Sequence, residues 1–264
     1  MKRLLLSLSI VLLTATSCLA GIDFDGTDDY VNGADSFYSN TLTISAWIFI
    51  EAVPTSGSEK PIVHKRNSSG VTAGVNEWDF NIGYGSATNS FLAFFAWSSS
   101  AATIINVNTS ANPTLLKNTW YHVVARCDGT DADVLIDGIE TDGAQTGTIR
   151  NAVSLIQIGS MNSSNTNRYF NGLITEVAIW NVYLTDDEIG QLKKHIRGKP
   201  LQVRSGNLKI YLPMNDGTVG TSADGDTVAD KSGNGQNGTG VDGANNTGLS
   251  WTRDSFLRRI VNIL

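Results

Sequence analysis

The chain has 264 residues, 17% charged and 41% hydrophobic, with 19 basic side chains against 25 acidic and a net charge of −6. That acidic balance argues against nucleic acid and against anionic membrane surfaces as partners. The length allows a single domain that buries about 70–75% of the surface exposed by its unfolded chain.

At the N-terminus, Lys2 and Arg3 precede an apolar run from Leu4 to Leu13, broken by Ser7 and Ser9. Cys18-Leu19-Ala20, with small residues at its first and last positions, precedes Gly21. This pattern predicts a signal peptide over residues 1–20, too short to span a bilayer and cleaved after Ala20. The alternative is a lipoprotein signal acylated at Cys18, although Ala15-Thr16-Ser17 lacks the usual leucine three positions upstream. The expected location is extracellular or periplasmic, or lipid-anchored through Cys18. No other stretch is long enough for an integral membrane protein. Without the leader, 17 basic side chains face 25 acidic ones, and Cys127 is the sole cysteine. Its parity with Val123 and Ala125 on a strand predicts a buried, inert thiol.

Short apolar runs then recur between Gly, Asn, Asp and Ser clusters. Strands are predicted at 22–24, 42–50, 61–65, 78–84, 91–97, 103–107, 120–126, 133–136, 155–158, 172–180 and 208–213. Asp128-Gly129 reads as a hairpin turn, since glycine there tolerates positive φ. The one helix expected runs from 186 to about 197. Thr185 and Glu188 form a capping box, and Leu184 and Ile189 a hydrophobic staple. Asp186 and Asp187 add negative charge at the positive end of the helix dipole. Gly198 and Pro200 stop it. With no tandem repeat, residues 21–250 read as one domain and 251–264 as a tail. In that tail Phe256, Leu257, Ile260, Val261 and Leu264 recur at helical spacing, predicting an amphipathic helix docked on protein.

The stretch R-Y-F-N-G-L-I-T-E-V-A-I-W-N-V-Y-L-T-D-D-E-I-G-Q-L (168–192) resembles the closing signature of laminin-G-like, concanavalin A-like jelly rolls. F-D-G-T-D-D-Y-V (24–31), L-T-I-S-A-W-I (42–48) and T-W-Y-H-V-V-A-R-C-D-G (119–129) resemble the family's first strand, second strand and central hairpin. The resemblance implies an all-β antiparallel sandwich with one short capped helix. In one respect the order differs: L-K-I-Y-L-P-M-N-D-G (208–217) and A-D-K-S-G-N-G-Q-N-G-T (229–239) usually precede the F-D-G strand, and here they follow the helix. Residues 208–214 are therefore expected to pair with or beside the N-terminal strand and complete the same sandwich.

Catalytic machinery is not evident. Glucanases of this fold carry E-x-D-x-x-E, which sets two carboxylates on one sheet face about 5–5.5 Å apart. Here Glu140-Thr141-Asp142 is followed by Gln145 in the third position. His64, His122 and His195 lack metal-ligand spacing. The expectation is a non-catalytic module.

Two kinds of binding site remain. Asp230, Ser232 and Asn234 fit the opening of a calcium loop, D-x-S-x-N-G, whereas Asx turns explain the same residues without metal. Calcium is thus an optional ion, and no cofactor is required. Asp23, Asp25, Asp28 and Asp29 form a further acidic cluster, with solvated turns as the plainer explanation. Sugars stack their apolar faces on Trp or Tyr and satisfy their hydroxyls with polar neighbours. Trp78, Tyr84 and Trp97 lie near Asn/Ser/Gly-rich loops, with Asn76, Asn81 and Arg168 as polar partners. The expected partner is carbohydrate or a glycosylated surface. The alternative is a structural or adhesive protein that makes protein contacts without a sugar site.

Overall fold

The computed structural model describes residues 20–33, 37–55, 58–66, 76–86, 89–110, 113–151, 155–161, 168–194, 199–243 and 248–253. Residues 1–19 of the expected leader and 254–264 of the tail lie outside them, whereas Ala20 begins a strand.

Sixteen strands are formed by the described residues. They are β1 Ala20–Asp25, β2 Tyr30–Gly33, β3 Leu42–Ile50, β4 Lys60–Arg66, β5 Asn76–Ser86, β6 Asn89–Trp97, β7 Thr103–Asn108 and β8 Trp120–Cys127. There follow β9 Asp131–Ile136, β10 Ile139–Ala144, β11 Leu155–Ile158, β12 Asn171–Trp180, β13 Leu208–Leu212, β14 Thr227–Val228, β15 Gly238–Val241 and β16 Ser250–Arg253. One sheet runs β10-β9-β8-β3-β12-β1-β16, with β13 also paired to β12; the other runs β14-β15-β2-β11-β4-β5-β6-β7. The architecture is the expected antiparallel β-sandwich, consistent with a concanavalin A-like jelly roll.

The core follows from period-two alternation. Leu42, Ile44, Ala46, Ile48 and Ile50 of β3 are all buried and meet Phe80, Ile82, Phe94 and Ile156 of the opposite sheet in one cluster. A second cluster lies on the outside of the first sheet. There Trp180, Val124 and Leu135 are covered by Leu184, Ile189 and Leu192, and Trp180 Nε1 donates to Val203 O at 2.9 Å. The helix α1 spans Asp186–Lys194. Its capping box is present: Thr185 N donates to Glu188 Oε2 at 2.9 Å and Glu188 N to Thr185 Oγ1 at 3.4 Å.

The displaced C-terminal segment completes the sandwich. β12 pairs with β3 along one edge; along the other, β1 occupies positions 171–174 and β13 positions 177–180. Residues 208–212 thus lie beside the N-terminal strand, as expected. β15 joins β2 in the second sheet, and β16 joins β1 in the first. Trp251–Arg253, assigned by sequence to the tail, therefore belong to a strand. The strands absent from the sequence reading, β2, β10, β14, β15 and β16, are short or at sheet edges, where alternation is weakly marked.

Trp180→Ala removes the largest side chain of the second cluster and its hydrogen bond. A loss of about 3–5 kcal/mol is expected, measured by urea unfolding.

Candidate functional site

Strand parity defines the outer face of the second sheet. Phe80, Ile82, Phe94 and Ile156 point into the core, so Asp79, Asn81, Phe95 and Gln157 point away from it. Pairing register aligns Asn32, Gln157, His64, Asp79, Phe95 and Asn106 in one row across six strands. Gln157 Nε2 donates to Asn32 Oδ1 at 2.8 Å. Phe95 and Trp97, both half-buried, stack with centroids 6.2 Å apart and planes inclined by 24°. Asn106 is exposed beside them. Asn81 is buried, and neither atom of its amide has a hydrogen-bond partner among the described residues.

The six sugar-site candidates separate. Trp97 and Asn81 share this outer face, on adjacent strands. Asn81 pairs with Ala93, four residues along β6 from Trp97, a distance of about 13 Å. Trp78 is a correction: at 3% exposure it belongs to the core with Phe80 and Ile82, whose parity it shares, and it offers no stacking face. Tyr84 is half-buried near the end of β5, paired with Ser90. Asn76 begins β5, and its side chain lies outside the described residues. Arg168 stands off the sheet, paired with Glu59 at 3.3 Å. Phe95 was not among the six candidates, yet its i, i+2 spacing from Trp97 on a strand places the two on one face, where they stack.

The Asp230 loop does not fit a cation. Asp230 Oδ1 accepts from Tyr211 N and Ser232 N, both at 2.9 Å, and Oδ2 accepts from Ser232 Oγ at 2.8 Å and Gln236 N at 2.9 Å. Asn234 turns its Nδ2 inward, toward Leu208 O at 2.8 Å. Donors, not free oxygens, converge here, and the loop acts as a hydrogen-bonded clasp on β13.

Of the E-x-D carboxylates, Glu140 is engaged. Arg126, with its side chain 3% exposed, bonds Asp133 at 3.1 Å, Glu140, and Asp186 at 2.7 Å. It also donates to Leu184 O at 2.8 Å and lies 4.3 Å from the Tyr183 ring centroid. Tyr183 donates its hydroxyl to Asp133, and burial together with that bond raises its pKa. Gln145, in the position of the third acid, is buried and donates to Asn40 Oδ1 at 2.8 Å. This arrangement fastens α1 to the sheet. Cys127 is fully buried, with its thiol pushed up to about 12, as an inert core cysteine requires.

With this geometry established, comparison places the chain. Residues 25–190 match the family described as the concanavalin A-like lectin/glucanases superfamily, and the chain belongs to it. Comparison with curated proteins finds no match. Among solved structures it resembles a "putative carbohydrate binding protein" from Bacteroides ovatus, at 18% identity and a TM-score of 0.55. That match covers 89% of this chain and 61% of the other. It also resembles the enzymatically active domain of bacteriophage CBA120 tailspike protein 2, at 12% identity and a TM-score of 0.53. There the coverage is 75% of this chain and 30% of the other. At these identities the shared property is the fold.

Two outcomes follow from the buried ionisable groups. Arg126→Ala strands the Asp133 carboxylate in the interior, and a loss of about 3–5 kcal/mol is expected in chemical denaturation. His122, 1% exposed, accepts from or donates to Ser45 Oγ at 2.9 Å and is held neutral by burial, its pKa lowered to about 3. Below the unfolded value of 6.5 the unfolded chain takes up a proton that the folded one refuses. Stability should therefore fall by about 1.4 kcal/mol per pH unit as pH drops from about 6.5 toward 3. The difference between the protein and His122→Gln, followed by urea midpoints, isolates this contribution.

Proposed function

We propose that the protein is a secreted, non-catalytic module that recognises carbohydrate through the outer face of the second sheet. The observation that carries this reading is the half-buried Phe95–Trp97 stack, bordered by the exposed Asn106. A flat aromatic surface beside an amide group suits the apolar and hydroxyl faces of a sugar. Membership of a family described by lectins and glucanases supports the substrate class. Engagement of Glu140 and Asp133 by Arg126 supports binding without hydrolysis.

A second reading, protein contact without a sugar site, draws on the outer face of the first sheet. There Phe49 and Trp120 are half-buried with ring centroids 5.5 Å apart, beside half-buried Trp47.

A glycan array separates the two. Binding should be saturable and weakened about 2- to 10-fold by Trp97→Ala, the equivalent of one stacking contact of about 0.5–1.5 kcal/mol. Absence of glycan binding, or binding indifferent to Trp97→Ala, would sink the sugar-face assignment.

A further inference from the structure

Two crossings between the sheets face each other at one end of the sandwich. The first leaves β1 at Asp25 and enters β2 at Tyr30; the second leaves β15 at Val241 and enters β16 at Ser250. Each brings carboxylates to the seam. Asp25, Asp28 and Asp29 each offer an oxygen, all within 4.8 Å of one another. Gly248 N donates to Asp242 Oδ2 at 3.2 Å, and a Cβ on Gly248 would lie 2.6 Å from both Asp25 Cγ and Asp29 Oδ2. A Cβ on Gly243 would lie 2.6 Å from Asp28 Oδ2. The two glycines thus let the second crossing press its backbone against the acidic groups of the first.

The oxygens divide into used and unused. Asp29 Oδ2 accepts from Asp25 N at 2.8 Å, and Asp25 Oδ1 from Thr27 N at 2.7 Å. Asp29 is 0% and Asp242 9% exposed, yet Asp29 Oδ1 and Asp242 Oδ1 accept no hydrogen bond among the described residues. Buried carboxylate oxygens left in this way are costly. Around the cluster stand Lys60, within electrostatic reach of Asp25, and Tyr169 near Asp28 and Tyr30.

We propose that Asp25, Asp28, Asp29 and Asp242 form a calcium site that clips the β1–β2 crossing to the β15–β16 crossing. Calcium takes six to eight oxygens at about 2.3–2.6 Å, so opposite ligands stand about 4.6–5.2 Å apart, a spacing that the oxygens of Asp25, Asp28 and Asp29, within 4.8 Å of one another, meet. The ion satisfies the two buried oxygens and ties both ends of the chain across both sheets.

The test uses the whole chain, stripped with EGTA and titrated with calcium chloride alone. Calorimetry should show one ion per chain. Tm should rise by about 5–10 °C when calcium exceeds its Kd a hundredfold. Asp29→Asn and Asp242→Asn should each weaken binding at least tenfold, whereas Asp230→Asn, in the loop whose carboxylate is filled by donors, should leave it unchanged. Should either seam variant fail to fold, Asp28→Asn carries the same readout. The absence of both heat and a Tm shift at millimolar calcium overturns the proposal. So does binding that survives every seam substitution or is abolished by Asp230→Asn.

Discussion

The edge of β12 that faces away from β3 holds both the first strand, β1, and the post-helix strand β13, and the remaining architecture depends on that sharing. Asn171–Ile174 pair with β1, and Val177–Trp180 pair with β13. Between them the strand breaks register, and Glu176 takes φ 53° while its carboxylate accepts from Tyr211 Oη at 2.6 Å. Thr175 Oγ1 stands at the seam, 2.6 Å from Ala20 O and 2.8 Å from Pro213 O. Gly172 has φ 129°, and a Cβ there would lie 2.1 Å from Phe49 O. The strand is thus shaped to accept two short partners end to end. A segment that usually precedes the F-D-G strand in this family can therefore follow the helix and still close the same sheet.

The outer faces of the sandwich differ in how their charges are balanced. On the first sheet, Arg126 gathers Asp133, Glu140 and Asp186, satisfying the carboxylates and fastening α1 over Trp180. A buried arginine with partners on a strand, a hairpin and a helix start acts through geometry, since removing it leaves charges without water. The outer face of the second sheet carries amides and half-buried aromatic rings, with His64 and Asp79 buried in the middle of its row.

Much of this was legible in sequence, and the exceptions have physical causes. β3 and β11 fall where alternation placed them, and the Thr185–Glu188 box is local, set by four consecutive residues. β10 reads I-E-T-D-G-A with little apolar signal because it lies at a sheet edge and owes its place to pairing with β9. Trp78 was misplaced by its nearness to polar loops, although its spacing from Phe80 and Ile82 put it on the core face. The Asp230 loop matched a metal pattern because Asx turns and calcium loops use the same residue types. Only the positions of N–H donors separate them, and those are set by the neighbouring strand β13. The contact of Asp29 with the Asp242 region was not legible, since it exists only after both crossings meet.

The claim on which the account rests is that residues 208–253 are part of one sandwich with the N-terminal strand. Hydrogen–deuterium exchange by mass spectrometry tests it directly. The account predicts that the amides of β13, β15 and β16 are protected together with those of β1 and β12, and open only with the whole domain. Rapid exchange across 208–253 while β3, β8 and β12 stay protected would contradict it.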